Sequence, residues 1–280
     1  MSEEIIITKE LHHIYPGNVH ALRGIDLTIR KGERIAIIGE NGGGKTTLVK
    51  HFNGLLKPTQ GRVFVKGMDT LEHKTHEIVR YVGYVFQNPA DQIFSSRVIS
   101  EVEFGPKNLK YPKERIKELS EKALEITGLT EFREVHPYEL QHVQRKFLCI
   151  ASIIAMDPEV IILDEPSSGM DYNGIRKLKR IVKYLNEEEN KTVIVVSHNM
   201  DLVADIAERT VVLYMGKIIL DGETKEVLSK ADKLQIAGVN PPQITRVALK
   251  LSELGVPNRI TQVEELAEHL LRIKKEKRNS

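Results

Sequence analysis

The residues Gly39-Glu40-Asn41-Gly42-Gly43-Gly44-Lys45-Thr46 fit the spacing G-x-x-x-x-G-K-[ST], a loop whose chemistry is the holding of phosphate. Glycines there let successive backbone N–H groups turn inward on a β-phosphate, and a helix starting behind them adds partial positive charge. Lys45 is placed to reach the β- and γ-phosphates, the Thr46 hydroxyl to coordinate magnesium, and Thr47 to continue the cradle. A glycine-rich turn without function is the competing explanation. The Lys-Thr pair in register, after a buried-strand pattern and before a helical one, decides against it. The loop specifies a nucleoside triphosphate but no particular reaction, because kinases and GTPases share it. The segment Ile161-Ile162-Leu163-Asp164-Glu165-Pro166-Ser167-Ser168-Gly169-Met170-Asp171 narrows the chemistry. A carboxylate at the C-terminal end of a buried strand lies beside the phosphate loop, so Asp164 can hold the magnesium shell. Glu165 then comes next to orient or deprotonate a water attacking the γ-phosphate, a contribution of roughly 10²- to 10⁴-fold. Taken alone, an Asp-Glu pair could equally cap a strand.

These groups need a scaffold, and the sequence supplies one. Residues 5–30 alternate loosely between apolar and polar around Pro16-Gly17-Asn18, as antiparallel strands do. Arg34-Ile35-Ala36-Ile37-Ile38 is short and apolar, as a strand buried on both faces should be, and runs straight into the glycines. A helix is expected from Thr47 to Asn53, a strand over residues 61–67, and helices over 113–127 and 144–156, the last ended by Asp157-Pro158. Val160-Ile161-Ile162-Leu163 and Thr192-Val193-Ile194-Val195-Val196 read as further buried strands. Strands alternating with helices predict an α/β fold with a mainly parallel sheet covered on both faces. Gly238-Val239-Asn240-Pro241-Pro242 marks a joint, since a double proline cannot continue a helix. The expected division is therefore residues 1–238 as one domain and 239–280 as a helical extension. That extension should hold helices near 243–254, stopped at Gly255, and 262–275, opened by the capping-box pattern Thr261-Gln262-Val263-Glu264.

Composition excludes several classes. The 280 residues are 41% hydrophobic and 29% charged, enough apolar material for a packed core. Forty-one basic against 39 acidic groups give a formal net charge of +2, which supplies no global electrostatic drive toward nucleic acid or anionic lipid. The single cysteine, Cys149, forbids an intrachain disulfide framework and a cysteine zinc site, and its apolar neighbours make it packed core. The acidic start and short apolar runs give neither a secretory signal nor a segment of the ~20 residues needed to span a bilayer. His12-His13 lacks a ligand cluster and reads as a solvated strand. Arg272, Lys274, Lys275, Lys277 and Arg278 against Glu276 give the last nine residues a local +4, read as a solvated, frayed end, with weak attraction to an anionic membrane face as the sharper alternative.

In family order, the motifs of the chain resemble those of ATP-binding cassette ATPases, and the segment Leu163 to Asp171 matches their second carboxylate motif and following loop. The resemblance implies a P-loop NTPase core with an N-terminal antiparallel β layer, a helical subdomain near 90–155 and a dimer that sandwiches ATP and Mg²⁺. By the same resemblance Tyr15 stacks on adenine, Gln87 touches magnesium and the attacking water, His198 contacts the γ-phosphate, and Asp171 communicates across the dimer. The glutamine-loop segment Phe86-Gln87-Asn88-Pro89-Ala90-Asp91-Gln92-Ile93-Phe94, the run Glu103 to Leu109 and the tail from Asn240 are similar to the energy-coupling factor and cobalt-type transporter ATPases. That subfamily implies vitamins or cobalt and nickel ions as cargo and a peripheral place on the cytoplasmic membrane face. Its partners are a second ATPase subunit, identical or homologous, a transmembrane coupling protein and a substrate-binding membrane protein.

One segment departs from the pattern. Where the family carries Leu-Ser-Gly-Gly-Gln, which touches the γ-phosphate held by the opposite subunit, this chain reads Leu140-Gln141-His142-Val143-Gln144. The chemistry asks for a short hydroxyl donor and for glycine N–H groups that approach closely at a helix N-terminus. Gln141 is longer, and His142 and the β-branched Val143 add bulk. Gly43, where relatives often have serine, is a smaller departure. The altered signature leaves two readings: an ATPase that energises uptake with one weakened contribution per dimer site, or a nucleotide-binding regulatory or structural subunit with little turnover. A cassette acting on DNA or ribosomes is disfavoured, because the chain has one cassette and no long coiled-coil insertion.

Overall fold

The computed structural model describes residues 3–276, so Lys277 and Arg278 of the basic end lie outside the described residues. Two sheets carry the architecture. The first is antiparallel, built from β1 (Glu4–Tyr15), β2 (Val19–Arg30), β4 (Gln60–Val65) and β5 (Met68–Asp69) in the order β2-β1-β4-β5. The second contains β3 (Arg34–Gly39), β6 (Val82–Val85), β7 (Val160–Asp164), β8 (Thr192–Val196), β9 (Arg209–Tyr214) and β10 (Lys217–Glu223), in the order β10-β9-β3-β8-β7-β6. Every pairing from β9 to β6 is parallel, and only the edge strand β10 is antiparallel. This is the mainly parallel sheet expected from the uninterrupted apolar runs. β7 and β8 are buried at every residue, as strands covered on both faces must be.

The order matters for the site. β3 sits between β9 and β8, with β7 next, so the chain turns exiting β3, β7 and β8 lie side by side at the same sheet edge. Those turns carry the phosphate loop, the Asp164-Glu165 pair and His198. Apolar side chains of β1, β2 and β4 pack with β3 and the helix Lys45–Phe52 into one core. A second core joins the helices Val98–Asn108, Lys113–Thr127 and His142–Ile154 to the other side of the parallel sheet.

Helix Lys113–Thr127 lies where expected and ends on Gly128 in the left-handed region. The helix expected from residue 144 begins two residues earlier, His142–Ile154, and the one expected from Thr47 is Lys45–Phe52. In the tail, helix Gln243–Lys250 is followed by a tight turn over Ser252–Leu254 that stops at Gly255, and helix Val263–Glu276 closes the described chain. Ala248, Val256, Ile260 and Leu266 form a small core of their own there. The capping pattern is shifted by one residue: Glu265, not Glu264, accepts the Thr261 N–H, at 3.3 Å.

Cys149 is fully buried as expected, and burial pushes its thiol up to about 12. The reading of His12-His13 as solvated fails at His13, which is buried. Register shifts at Thr8/Leu11, Leu11/His12 and His13/Ile14 break the simple alternation of β1 and turn this imidazole inward.

Candidate functional site

The phosphate loop follows β3 directly. Gly43 N–H donates to the Glu40 carbonyl at 3.1 Å, closing the bend, and Gly44 (φ +102°) opens the helix beginning at Lys45. A side chain at Gly44 would put its Cβ 2.6 Å from the Ala21 carbonyl oxygen, so the position is confined to glycine by both backbone angle and space. Lys45 Nζ donates to the carbonyls of Gly39 and Glu40, each at 2.9 Å. Burial lowers its pKa, opposed by the nearby charges of Glu165, Asp164 and Glu40. The ammonium is thus held at the loop by oxygen atoms alone, the environment a phosphate would extend.

Thr46 Oγ1 donates to Asp164 Oδ2 at 3.0 Å, bridging the loop to the end of β7. Tyr84 of β6 donates its phenol to the same Oδ2 at 2.6 Å. Burial and the Asp164 charge hold that phenol protonated well above the ordinary range. The other carboxylate oxygen, Asp164 Oδ1, is buried without a hydrogen-bond partner. A buried carboxylate oxygen left over beside a threonine hydroxyl is an oxygen donor set of the kind magnesium takes, so the residues fit that ion.

Glu165 sits at φ 46°, a left-handed angle that costs a non-glycine residue of order 1 kcal/mol. Its backbone turns the carboxylate toward the end of β8, where Oε2 lies 2.8 Å from His198 Nδ1 and accepts the His198 N–H at 3.4 Å. The Glu165 side chain is 8% exposed and that of His198 66%, so the pair presents one face to solvent. Below it, Lys146 Nζ donates to the carbonyls of Gln87 (3.2 Å) and Glu165 (3.3 Å). This lysine is buried, which lowers its pKa. It ties the helix His142–Ile154 to the two turns that carry Gln87 and Glu165. Gln92 makes a parallel link: Oε1 accepts the Phe86 N–H, and Nε2 donates to the Cys149 carbonyl and Ser152 Oγ.

A cleft of about 390 Å³ joins these groups. Asn41, Gly42, Gly44 and Lys45 of the loop line it, together with Thr46 and Thr47, and so do Tyr15, Gln87, Glu165 and His198. Gly39 and Glu40 face an adjoining hollow of about 540 Å³ whose far wall is residues 238–243 and Arg246. The signature residues Leu140, Gln141, His142, Val143 and Gln144 do not line the cleft, and neither does Asp171. Gln144 Oε1 accepts the Gln141 N–H at 2.8 Å, capping the helix from within. His142 and Val143 rest on two glycines of the segment after β7: an added methyl would come within 3.0 Å of His142 Nε2 at Gly169 and 3.1 Å of Val143 Cγ1 at Gly174. Asp171 Oδ1 accepts the Gly174 N–H at 2.8 Å and caps the helix Tyr172–Glu187.

Tyr84 and Lys146 were not among the residues that the sequence singled out. A tyrosine three residues before Gln87, on a strand that must lie next to β7, and a lysine inside an apolar helix were the available signals.

Comparison with known proteins places the chain among relatives. A model of the ABC transporter family matches residues 22–168. An energy-coupling factor transporter ATP-binding protein, EcfA of Methanoculleus marisnigri, is 41% identical over 252 residues, covering 90% of this chain and 91% of that protein. A putative ABC transporter ATP-binding protein of Methanosarcina acetivorans is 43% identical over 90% of this chain, which spans only 41% of that protein's length. Among solved structures, cbiO1 from Clostridium perfringens, part of the transporter complex cbiONQ, matches with a TM-score of 0.76 at 33% identity, over 90% of this chain and 98% of the other. A dimeric ATP-binding cassette bound to ADP and Pi matches with a TM-score of 0.72 at 27% identity, over 79% of this chain and 99% of the other.

Proposed function

The chain belongs to the ABC transporter family, as an ATP-binding ATPase subunit of the energy-coupling factor type, and we propose that it powers an importer of vitamins or of cobalt or nickel ions. The observation that carries the catalytic reading is the 2.8 Å contact of Glu165 with His198 in the cleft that also holds Lys45 and Thr46. On this reading Lys45 exchanges the Gly39 and Glu40 carbonyls for β- and γ-phosphate oxygens. Glu165 takes a proton from water as the water oxygen bonds to the γ-phosphorus and the bond to the β-phosphate bridging oxygen breaks. His198 fixes the carboxylate through Nδ1 and turns its exposed edge to the γ-phosphate. Thr46, Asp164 and Gln87 would hold magnesium, which neutralises charge on the β- and γ-oxygens when bound. Tyr15 stacks on adenine through its flat face.

The partners follow from the same reading. Two cassettes pair, identical or homologous, so that each signature faces the other chain's γ-phosphate and each Asp171 lies at the junction. No helix among the described residues is long and apolar enough to cross a membrane, so the path is given to other chains. The exposed Phe94, the last residue of the glutamine-loop segment, and Phe104, ring centroids 4.5 Å apart in an edge contact, support that loop as the face for a membrane subunit on the cytoplasmic side. Residues 1–238 act as the cassette and 239–280 as its extension.

A second reading, a regulatory subunit with little turnover, is favoured by one feature: His142 and Val143 are built into the packing of Gly169 and Gly174 rather than left free to meet a phosphate. Copurification of the chain from membranes, followed by mass spectrometry, tests the transporter assignment. A transmembrane coupling protein together with a small substrate-binding membrane protein is the expected result. Recovery with ribosomes or DNA, and with no membrane protein, overturns it.

A further inference from the structure

Beneath the nucleotide cleft four side chains close a ring. His51, fully buried in the helix that follows the phosphate loop, places Nδ1 2.7 Å from the Thr47 carbonyl and Nε2 3.2 Å from His13 Nδ1. A carbonyl only accepts, so His51 Nδ1 carries the proton. Burial holds this imidazole neutral at ordinary pH, pushed down to about 4. Its Nε2 is therefore an acceptor, and His13 Nδ1 must be the donor, shared with the Lys57 carbonyl at 3.2 Å. The surroundings thus place a proton on Nδ1 of each ring. The His13 ring meets Tyr15 edge-on, with centroids 4.5 Å apart and planes at 78°, and the Tyr15 hydroxyl lies 3.2 Å from Thr47 Oγ1. The ring of contacts thus returns to the residue beside Thr46.

We propose that His13 and His51 are positioning residues that set the orientation of Tyr15 and so the affinity for the purine base. Tyr15 alone is 36% exposed, on the last residue of β1 before a turn, where a strand end gives little restraint. The imidazole edge and the Thr47 hydroxyl supply that restraint at two points. Because His51 is anchored to Thr47, the base-contacting tyrosine and the phosphate-loop helix move as one body. The inference rests on the reading of Tyr15 as the adenine contact. An aromatic pair of this kind contributes roughly 0.5 to 1.5 kcal/mol beyond burial, or about 2- to 13-fold in affinity.

The test compares ATP with inorganic tripolyphosphate, which occupies the phosphate loop but has no base, by titration calorimetry on the full chain. His13→Ala is expected to weaken ATP about 2- to 13-fold and leave tripolyphosphate unchanged. Tyr15→Ala should do the same, and the double variant should be no weaker than Tyr15→Ala alone. Should His13→Ala fail to fold, His13→Asn keeps a donor toward Lys57 while removing the ring, and the same comparison is read from it. If Tyr15→Ala weakens ATP but His13→Ala and His13→Asn do not, the positioning role is overturned and the adenine contact stands. If Tyr15→Ala leaves ATP affinity unchanged, the adenine contact itself fails. Equal weakening of ATP and tripolyphosphate assigns the imidazoles to general packing and also overturns the proposal.

Discussion

Replacing Glu165 by glutamine is expected to lower steady-state ATP turnover by about 10²- to 10⁴-fold, the full contribution of a general base, while ATP still binds. The side chain is 8% exposed and its Oε2 lies 2.8 Å from His198 Nδ1, so an amide of nearly the same shape fits the site. What the amide lacks is the ability to take a proton from water. Lys45, Thr46 and the loop glycines, to which phosphate binding is assigned by the proposal, are untouched. The chain should then hold ATP without consuming it, and ATP-dependent dimers should persist rather than turn over. Phosphate release measured beside nucleotide binding checks both halves. Turnover reduced by less than about threefold would remove Glu165 from the reaction.

The second large effect runs the other way. Restoring the short residues by Gln141→Ser, His142→Gly and Val143→Gly is expected to raise homodimer turnover by about 10- to 150-fold, the value of one charge-assisted hydrogen bond of roughly 1.5 to 3 kcal/mol. The helix His142–Ile154 is oriented and capped in the native chain, since Gln144 already accepts the Gln141 N–H. Only the residues standing between its N-terminus and an incoming phosphate are changed. The substitution also removes the packing of His142 on Gly169 and of Val143 on Gly174, at a cost of about 1 kcal/mol in stability. His142→Gly alone keeps the valine contact and should recover part of the gain. Steady-state phosphate release by the purified dimer is the measurement. An unchanged rate would mean that the signature does not limit turnover.

What could be read from the sequence was local. The phosphate loop, the β7 carboxylates and His198 each follow an apolar strand, so their types, spacing and position at the sheet edge could be read together. The contacts that finish the site are not local. Tyr84 meets Asp164 across 80 residues, and Lys146 reaches the Gln87 carbonyl across 59, so no periodicity within a window reports them. His13 was misread for a different reason: the irregularity between Thr8 and Leu11 moves Leu11 and His13 onto the buried face together, and the polar type of His13 does not report its side. The altered signature was legible as a departure, whereas its seating on Gly169 and Gly174 required the fold. The capping residue of the last helix was misplaced by one position because the helix opens at Val263, which makes Glu265 rather than Glu264 its third residue.

On the proposed reading the chain's own phosphate loop and Glu165 are competent, while the signature it presents to its partner is weak. Single-turnover hydrolysis in a mixed dimer tests this most directly, using a homologous partner that has an intact signature and a glutamine in place of its own catalytic glutamate. Only the site built from this chain's Lys45 and Glu165 and the partner's signature can then react. The expected rate is about 10-fold or more above that of the homodimer, abolished by Glu165→Gln in this chain. A mixed-dimer rate no higher than the homodimer's would contradict that reading.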